Sequence, residues 1–148
     1  MQGKIVDSAC DVATESRDQT IDMLTHPISE ILSEGTSLER PFSILLENCS
    51  LDRATTDPHA AGDWRYFQVT FDGARDGKNF AVDGDAEGVA LQLRDEEGRV
   101  AIPGQAMPAG NVQPGAIRLK YTLRLIGNGH DLQAGAYHTT IRYRLDYY

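Results

Sequence analysis

From Tyr137 to the last residue the sequence alternates. Tyr137, Thr139, Ile141, Tyr143, Leu145 and Tyr147 make one set, β-branched, aromatic or aliphatic. His138, Thr140, Arg142, Arg144, Asp146 and Tyr148 make the other, mostly polar or charged. A period of two in such residues predicts a half-buried strand over Gly135–Tyr148. A long strand with nothing after it has an edge to protect, because unpaired edges invite aggregation. The same alternation recurs upstream. Ile117–Ile126 sets Ile117, Leu119, Tyr121, Leu123 and Leu125 against Arg118, Lys120, Thr122 and Arg124. Gly88–Arg94 sets Val89, Leu91 and Leu93 against Ala90, Gln92 and Arg94.

The remaining elements are shorter. Lys4–Val12 predicts a first strand, Phe42–Cys49 a strong one and Trp64–Phe71 another, closed by the Asp72-Gly73 turn. Gln19–Met23, Asn79–Val82 and Arg99–Ile102 predict short strands. Thr14–Asp18 reads as a turn. Ser29–Ser33 reads as one helical turn with Ile28, Ile31 and Leu32 on one side. Ser50–Asp63 and Pro103–Gly115 read as loops. Many short strands and almost no helix predict an all-β antiparallel sandwich. We find no internal repeat and no domain boundary, so residues 1–148 are expected to form a single domain.

Composition narrows the partners. With 41% hydrophobic and 24% charged residues in 148, the chain can build a core. The formal net charge of −8 argues against a nucleic-acid partner. No stretch is long or apolar enough to span a membrane. No signal peptide opens the chain, so it is either cytosolic or a chain whose signal was removed. The two cysteines, Cys10 and Cys49, point to a disulfide and an oxidising compartment. Two separate buried thiols are the other reading.

Catalytic chemistry finds no foothold. His26, His59, His130 and His138 lack ligand spacing and read as surface residues. There is no phosphate-binding glycine loop and no nucleophile elbow. The acidic Asp83–Glu87 stretch lacks the calcium-loop pattern. We therefore expect no catalytic residue, metal or cofactor. Trp64 reads as core, with a sugar-stacking ring as the alternative.

Five motifs in order carry a resemblance. They are Gly3-Lys-Ile-Val6 leading to Cys10, Phe42-Ser-Ile-Leu-Leu-Glu-Asn-Cys49, and Val69-Thr-Phe-Asp-Gly73. Gly88-Val-Ala-Leu-Gln-Leu-Arg-Asp95 follows, with Gly98 and Ile102. Last come Gly135, fourteenth from the end, and the penultimate Tyr147. Together they resemble the pilin subunits of bacterial chaperone–usher pili over nearly the whole chain. The resemblance implies an incomplete immunoglobulin-like sandwich lacking its final strand. It implies a hydrophobic groove that a periplasmic chaperone, and later the next subunit, fills with a donated strand. Ile141, Tyr143, Leu145 and Tyr147 would line that groove opposite Ile5 and Val6. Gly135, Tyr147 and Tyr148 would form the C-terminal docking site for the chaperone.

The resemblance also implies a route and a set of partners: periplasmic chaperone, outer-membrane usher and neighbouring pilin. The chain would cross the periplasm and end in the cell-surface pilus of a Gram-negative bacterium. Pilins carry a donor extension before the position of Gly3. Here only Met1-Gln2 precede it, so the extension is expected to have been removed or to be lacking. Tyr121-Thr-Leu-Arg-Leu-Ile-Gly-Asn-Gly129 and Arg144-Leu-Asp-Tyr-Tyr148 look most like the subunit that terminates P-type pili and anchors the rod base. An ordinary rod or minor linker pilin is the alternative. A single-domain carbohydrate-binding adhesin, using Trp64, Tyr66 and the Ser50–Asp63 loop, is more distant.

Overall fold

The period-two segments fold into two facing antiparallel layers. The computed structural model describes residues 1, 8–23, 27–37, 39–52 and 62–148. In chain order the elements are β1 (Asp11–Val12), α1 (Thr14–Arg17), α2 (Ile28–Glu34), β2 (Arg40–Cys49) and β3 (Tyr66–Asp72). Then come β4 (Arg75–Asp76), β5 (Asn79–Phe80), β6 (Asp83–Gly84), β7 (Val89–Asp95) and β8 (Gly110–Asn111). β9 (Gly115–Gly127), β10 (Tyr137–His138) and β11 (Arg142–Tyr147) complete the described elements. One sheet has the order β1-β2-β9-β7-β5-β4, a second has β11-β3-β8, and β10 pairs with β6.

The layers meet through aromatic rings. Phe71 on β3 and Tyr121 on β9 meet edge-on at 4.9 Å, and Phe42 on β2 stacks on Tyr121 at 5.3 Å. Phe71, Phe80, Ile44, Leu46 and Leu93 are all fully buried there. Each such side chain contributes about 1.5–3 kcal/mol through removal of apolar surface from water. The result is an immunoglobulin-like sandwich with an open edge. β3 pairs with one side of β11, and among the described residues no strand pairs with the other.

Several expected elements take a different form. The final stretch is not one strand. β10 pairs with β6 and β11 pairs with β3, so the chain changes partner across residues 139–141. Thr14–Arg17 is a helical turn instead of an irregular one, and Gln19–Met23 forms no strand. Arg99–Ile102 keeps only a bridge between Val100 and Arg94, while the Pro103–Gly115 loop contains β8 and a bridge from Ala106 to Thr70. On α2, Ile31 is buried as expected but Leu32 is 72% exposed, one residue round the helix. Of the expected first strand, residues 4–7 lie outside the described residues.

Side chains explain the missing strand at 19–23. β2 offers hydrogen-bonding groups to this segment, but they are met without a ladder. The Leu45 amide donates to Ser16 Oγ at 2.9 Å, and Gln19 Nε2 donates to the Ser43 carbonyl at 2.8 Å. The Ala13 amide reaches the Leu45 carbonyl at 2.9 Å, the last backbone bond of that kind before the helical turn. Short polar side chains compete with backbone ladders in this way. Pro41, further along the same strand, has no N–H to offer and suits a strand edge.

The cysteines are bonded, Cys10 to Cys49, across 39 positions of sequence. A bulge in β2 turns Cys49 inward: the register shifts between Leu46 and Cys49, and Asn48 takes φ 52°. Asn tolerates that left-handed backbone better than most residues. The chain-entropy model assigns closure of a loop this long about 4 kcal/mol. Replacing both cysteines by serine should therefore lower unfolding free energy by about that amount. Urea titration of oxidised wild type against the double variant checks it.

Candidate functional site: the open edge of the sandwich

β3 and β11 lie side by side, yet their inward faces differ. On β3, Phe67, Val69 and Phe71 are fully buried. On β11 and just before it, Ile141, Tyr143, Leu145 and Tyr147 are only half-buried against the same core. Both sets follow the same alternation, so residue type does not cause the difference. Position does: β3 is an inner strand, β11 an end strand. Ile117 and Leu119 on β9 are likewise half-buried. The half-buried residues of β11 face this open edge, the candidate groove.

The opposite side is built from a segment that the sequence patterns read as short strands without placing it at this edge. Asp11 acts electrostatically on Tyr147, Arg17 on Tyr143 and Asp22 on Tyr137. The segment 11–22 therefore runs alongside β10 and β11 in the opposite direction. It contributes Val12, Ile21 and Met23, all half-buried against the core. The Tyr143 hydroxyl donates to the Ser16 carbonyl and ties α1 to β11. Ile5 and Val6, expected in this wall, lie outside the described residues. Alternation marked Val12, Ile21 and Met23 as apolar but could not say which edge of the sandwich they would line.

Burial raises the groove tyrosines. It pushes the Tyr147 phenol up to about 12, with the Asp11 carboxylate adding to the effect. The Tyr143 phenol is also raised by burial, opposed by Arg17. Tyr137 is raised by burial and then Asp22, and its buried hydroxyl finds no hydrogen-bond partner among the described residues.

The chain end is held at the same edge. The Tyr148 carbonyl accepts from the amides of Arg65 at 3.0 Å and Tyr66 at 2.7 Å, and its own amide donates to Tyr66 at 2.9 Å. Tyr147 packs on Trp64 at 6.1 Å, and Tyr148 on Tyr66 at 5.9 Å. Trp64 is 4% exposed, hence a core residue and not a sugar-stacking surface. Gly135 sits elsewhere, against the turn after β6. A Cβ there would meet Asp85 Cβ at 2.6 Å and the Ala86 amide nitrogen at 2.8 Å. The structure thus brings Tyr147 and Tyr148 together and gives Gly135 a packing role of its own.

Other chemistry is sparse. Among the described residues no group of three His, Cys, Asp or Glu could hold a metal, and no helix is long and apolar enough to cross a membrane. His130 and His138 are exposed, while His26 and His59 lie outside the described residues.

An open-edged immunoglobulin-like sandwich, closed by a disulfide between its first two strands, defines a class of structural subunit. No family model matches the chain. Individual relatives do. The PRS and PAP fimbrial minor pilin proteins of Escherichia coli are each 36% identical over 147 residues, covering 98% of this chain and 74% of the relative. Among solved structures, the P pilus rod subunit PapA superposes with a TM-score of 0.81 at 20% identity, covering 95% of this chain and all of that one. A subunit of a chaperone–usher pilus gives 0.80 at 20% identity, covering 100% of this chain and 93% of that one. The chain belongs to the fimbrial subunit family of chaperone–usher pili. That family is structural, and this chain is not an enzyme.

Two outcomes follow from the geometry. Gly135→Ala should destabilise by about 1–3 kcal/mol, because the new methyl overlaps backbone atoms that cannot swing away. Thermal unfolding of the variant measures this. Tyr147 ionises near pH 10 when unfolded and near about 12 when folded. Its stabilising contribution is complete below pH 10 and is lost as pH rises through 12. Tyr147→Phe should therefore lose less stability than wild type between pH 10 and 12 in urea unfolding.

Proposed function

We propose that this chain is a pilus subunit that ends fibre growth and anchors the rod base. In transit through the periplasm its groove holds a strand donated by a chaperone, which delivers it to an outer-membrane usher. At the cell surface of a Gram-negative bacterium it then resists replacement of that strand. Ile5, Val6, Ile141, Tyr143, Leu145 and Tyr147 serve as groove residues, joined by Val12, Ile21 and Met23. Tyr147 and Tyr148 form the docking end, and Gly135 supports it through its packing at the turn after β6. Strand addition at an edge uses backbone hydrogen bonds for register and alternate side chains for fit. Half-buried alternate residues on β11 suit that role.

The observation that carries the terminating role is the Tyr143–Ser16 hydrogen bond. An incoming strand needs space beside the outgoing one before it can take over. A strap from α1 to the middle of β11 occupies that space. The names of the relatives favour a second reading, a minor linker subunit that exchanges strands normally.

Donor-peptide challenge of the purified chaperone complex separates the two. We expect wild type to retain the chaperone. Tyr143→Phe, which removes one hydrogen bond worth about 1 kcal/mol, should exchange about fivefold faster. Ready exchange by wild type would sink the terminating role and leave membership of the pilin family intact.

A further inference from the structure

The turn that leaves β9 holds a chemically labile pair, Asn128-Gly129. It is the sole Asn-Gly step in the sequence; Asn48, Asn79 and Asn111 precede Cys, Phe and Val. Asparagine is a thermolabile residue, because the amide nitrogen of the next residue can attack its side-chain carbonyl carbon. A following glycine leaves that attack unhindered, having no Cβ and a freely turning backbone. Here the attacking atom is free: the Gly129 amide donates to no acceptor among the described residues. Gly129 is exposed, at φ 91°, with nothing within 4 Å of where a Cβ would stand.

The Asn128 side chain is held at both ends. Its Nδ2 donates to Asp76 Oδ2 on the β4–β5 hairpin at 2.9 Å, and its Oδ1 accepts from the His130 amide at 3.0 Å. A carboxylate only accepts and a backbone amide only donates, so the two contacts fix which end is which. The His130 amide points at the oxygen that gathers negative charge when Cγ is attacked, and such a donor stabilises that charge. Asp76 accepts from the nitrogen that leaves.

We propose that Asn128 is a deamidation site whose conversion releases the β4–β5 hairpin. The Gly129 nitrogen bonds to Asn128 Cγ and gives its proton to water; the Cγ–Nδ2 bond breaks and ammonia leaves. Water then opens the cyclic imide at either carbonyl, which leaves aspartate or isoaspartate at 128. Water is consumed, ammonia is released and nothing is oxidised. Aspartate keeps an acceptor for the His130 amide but sets a second carboxylate against Asp76, and like charges in contact repel. The ladder that holds the hairpin is short. β4 ends the six-stranded sheet, and β5 meets β7 at the Phe80–Leu91 pair. The change does not reverse in water, so it accumulates with the age of the subunit.

The test incubates native protein in warm neutral buffer beside the urea-unfolded chain and sequences tryptic fragments by mass spectrometry. The fragment from Leu125 to Arg142 holds Asn128 as its single asparagine. In the native sample it should gain the amide-to-acid mass change at residue 128, as two isomers, several-fold faster than Asn48, Asn79 or Asn111 convert. Asn128→Asp, the product made directly, should lower Tm and speed hydrogen exchange across residues 75–80. Asp76→Asn should remove most of both effects by returning a donor to the pair. Conversion at 128 in urea alone, or no faster than at the other asparagines, would overturn the site. Unchanged Tm and exchange in Asn128→Asp, or equal losses with Asp76→Asn present, would overturn the release of the hairpin.

Discussion

The structure depends on covering the inward face of one end strand. β11 carries aromatic and aliphatic residues at alternate positions, and β3 pairs with only one of its edges. The apolar face that a further strand would seal stays half-buried. Leaving it so forgoes part of the apolar burial that stabilises every other strand. An assembly subunit can exploit that deficit, because a donated strand completes the fold and binds the donor in the same step.

The chain reduces the deficit with its own segment 11–23. That segment lies along the groove and bonds to β2 through Ser16 and Gln19 side chains instead of a continuous backbone ladder. Tyr143 then reaches across to the Ser16 carbonyl. A wall held by side-chain bonds, each worth about 1 kcal/mol, is held less firmly than a laddered strand. The disulfide counters this at one end by fixing Cys10 to Cys49, beside β1. The groove is consequently anchored at the β1 end and strapped near its middle.

Much of this was legible in the residues. β9 follows its alternation to the residue, β3 and β7 do so except that Thr70 and Ala90 are buried as well, and β2 does so as far as its bulge, because a strand buried mainly on one face repeats every second position. The disulfide and the family were legible too, the one from cysteine number and the other from five ordered motifs. What failed was local. Gln19–Met23 has strand-like residues, yet Ser16 and Gln19 answer β2 before a ladder can form. Gly135–Tyr148 alternates without a break, yet its two ends belong to different strand pairs. Alternation records which face is apolar and says nothing about which neighbour supplies the hydrogen bonds.

The sequence by itself determined the long strands β2, β3, β7 and β9, the apolar set Ile141, Tyr143, Leu145 and Tyr147, and the cysteine pair. Tertiary structure alone decided that those four residues stay half-buried while Phe67, Val69 and Phe71 on the adjacent strand do not. It also decided that Trp64 is core, that Gly135 is a packing contact, and that the Ser16 carbonyl accepts from Tyr143 across the open edge. The physical reason is the same in each case. Side-chain chemistry sets what a residue would gain from burial, but only the arrangement of distant segments sets how much burial it gets.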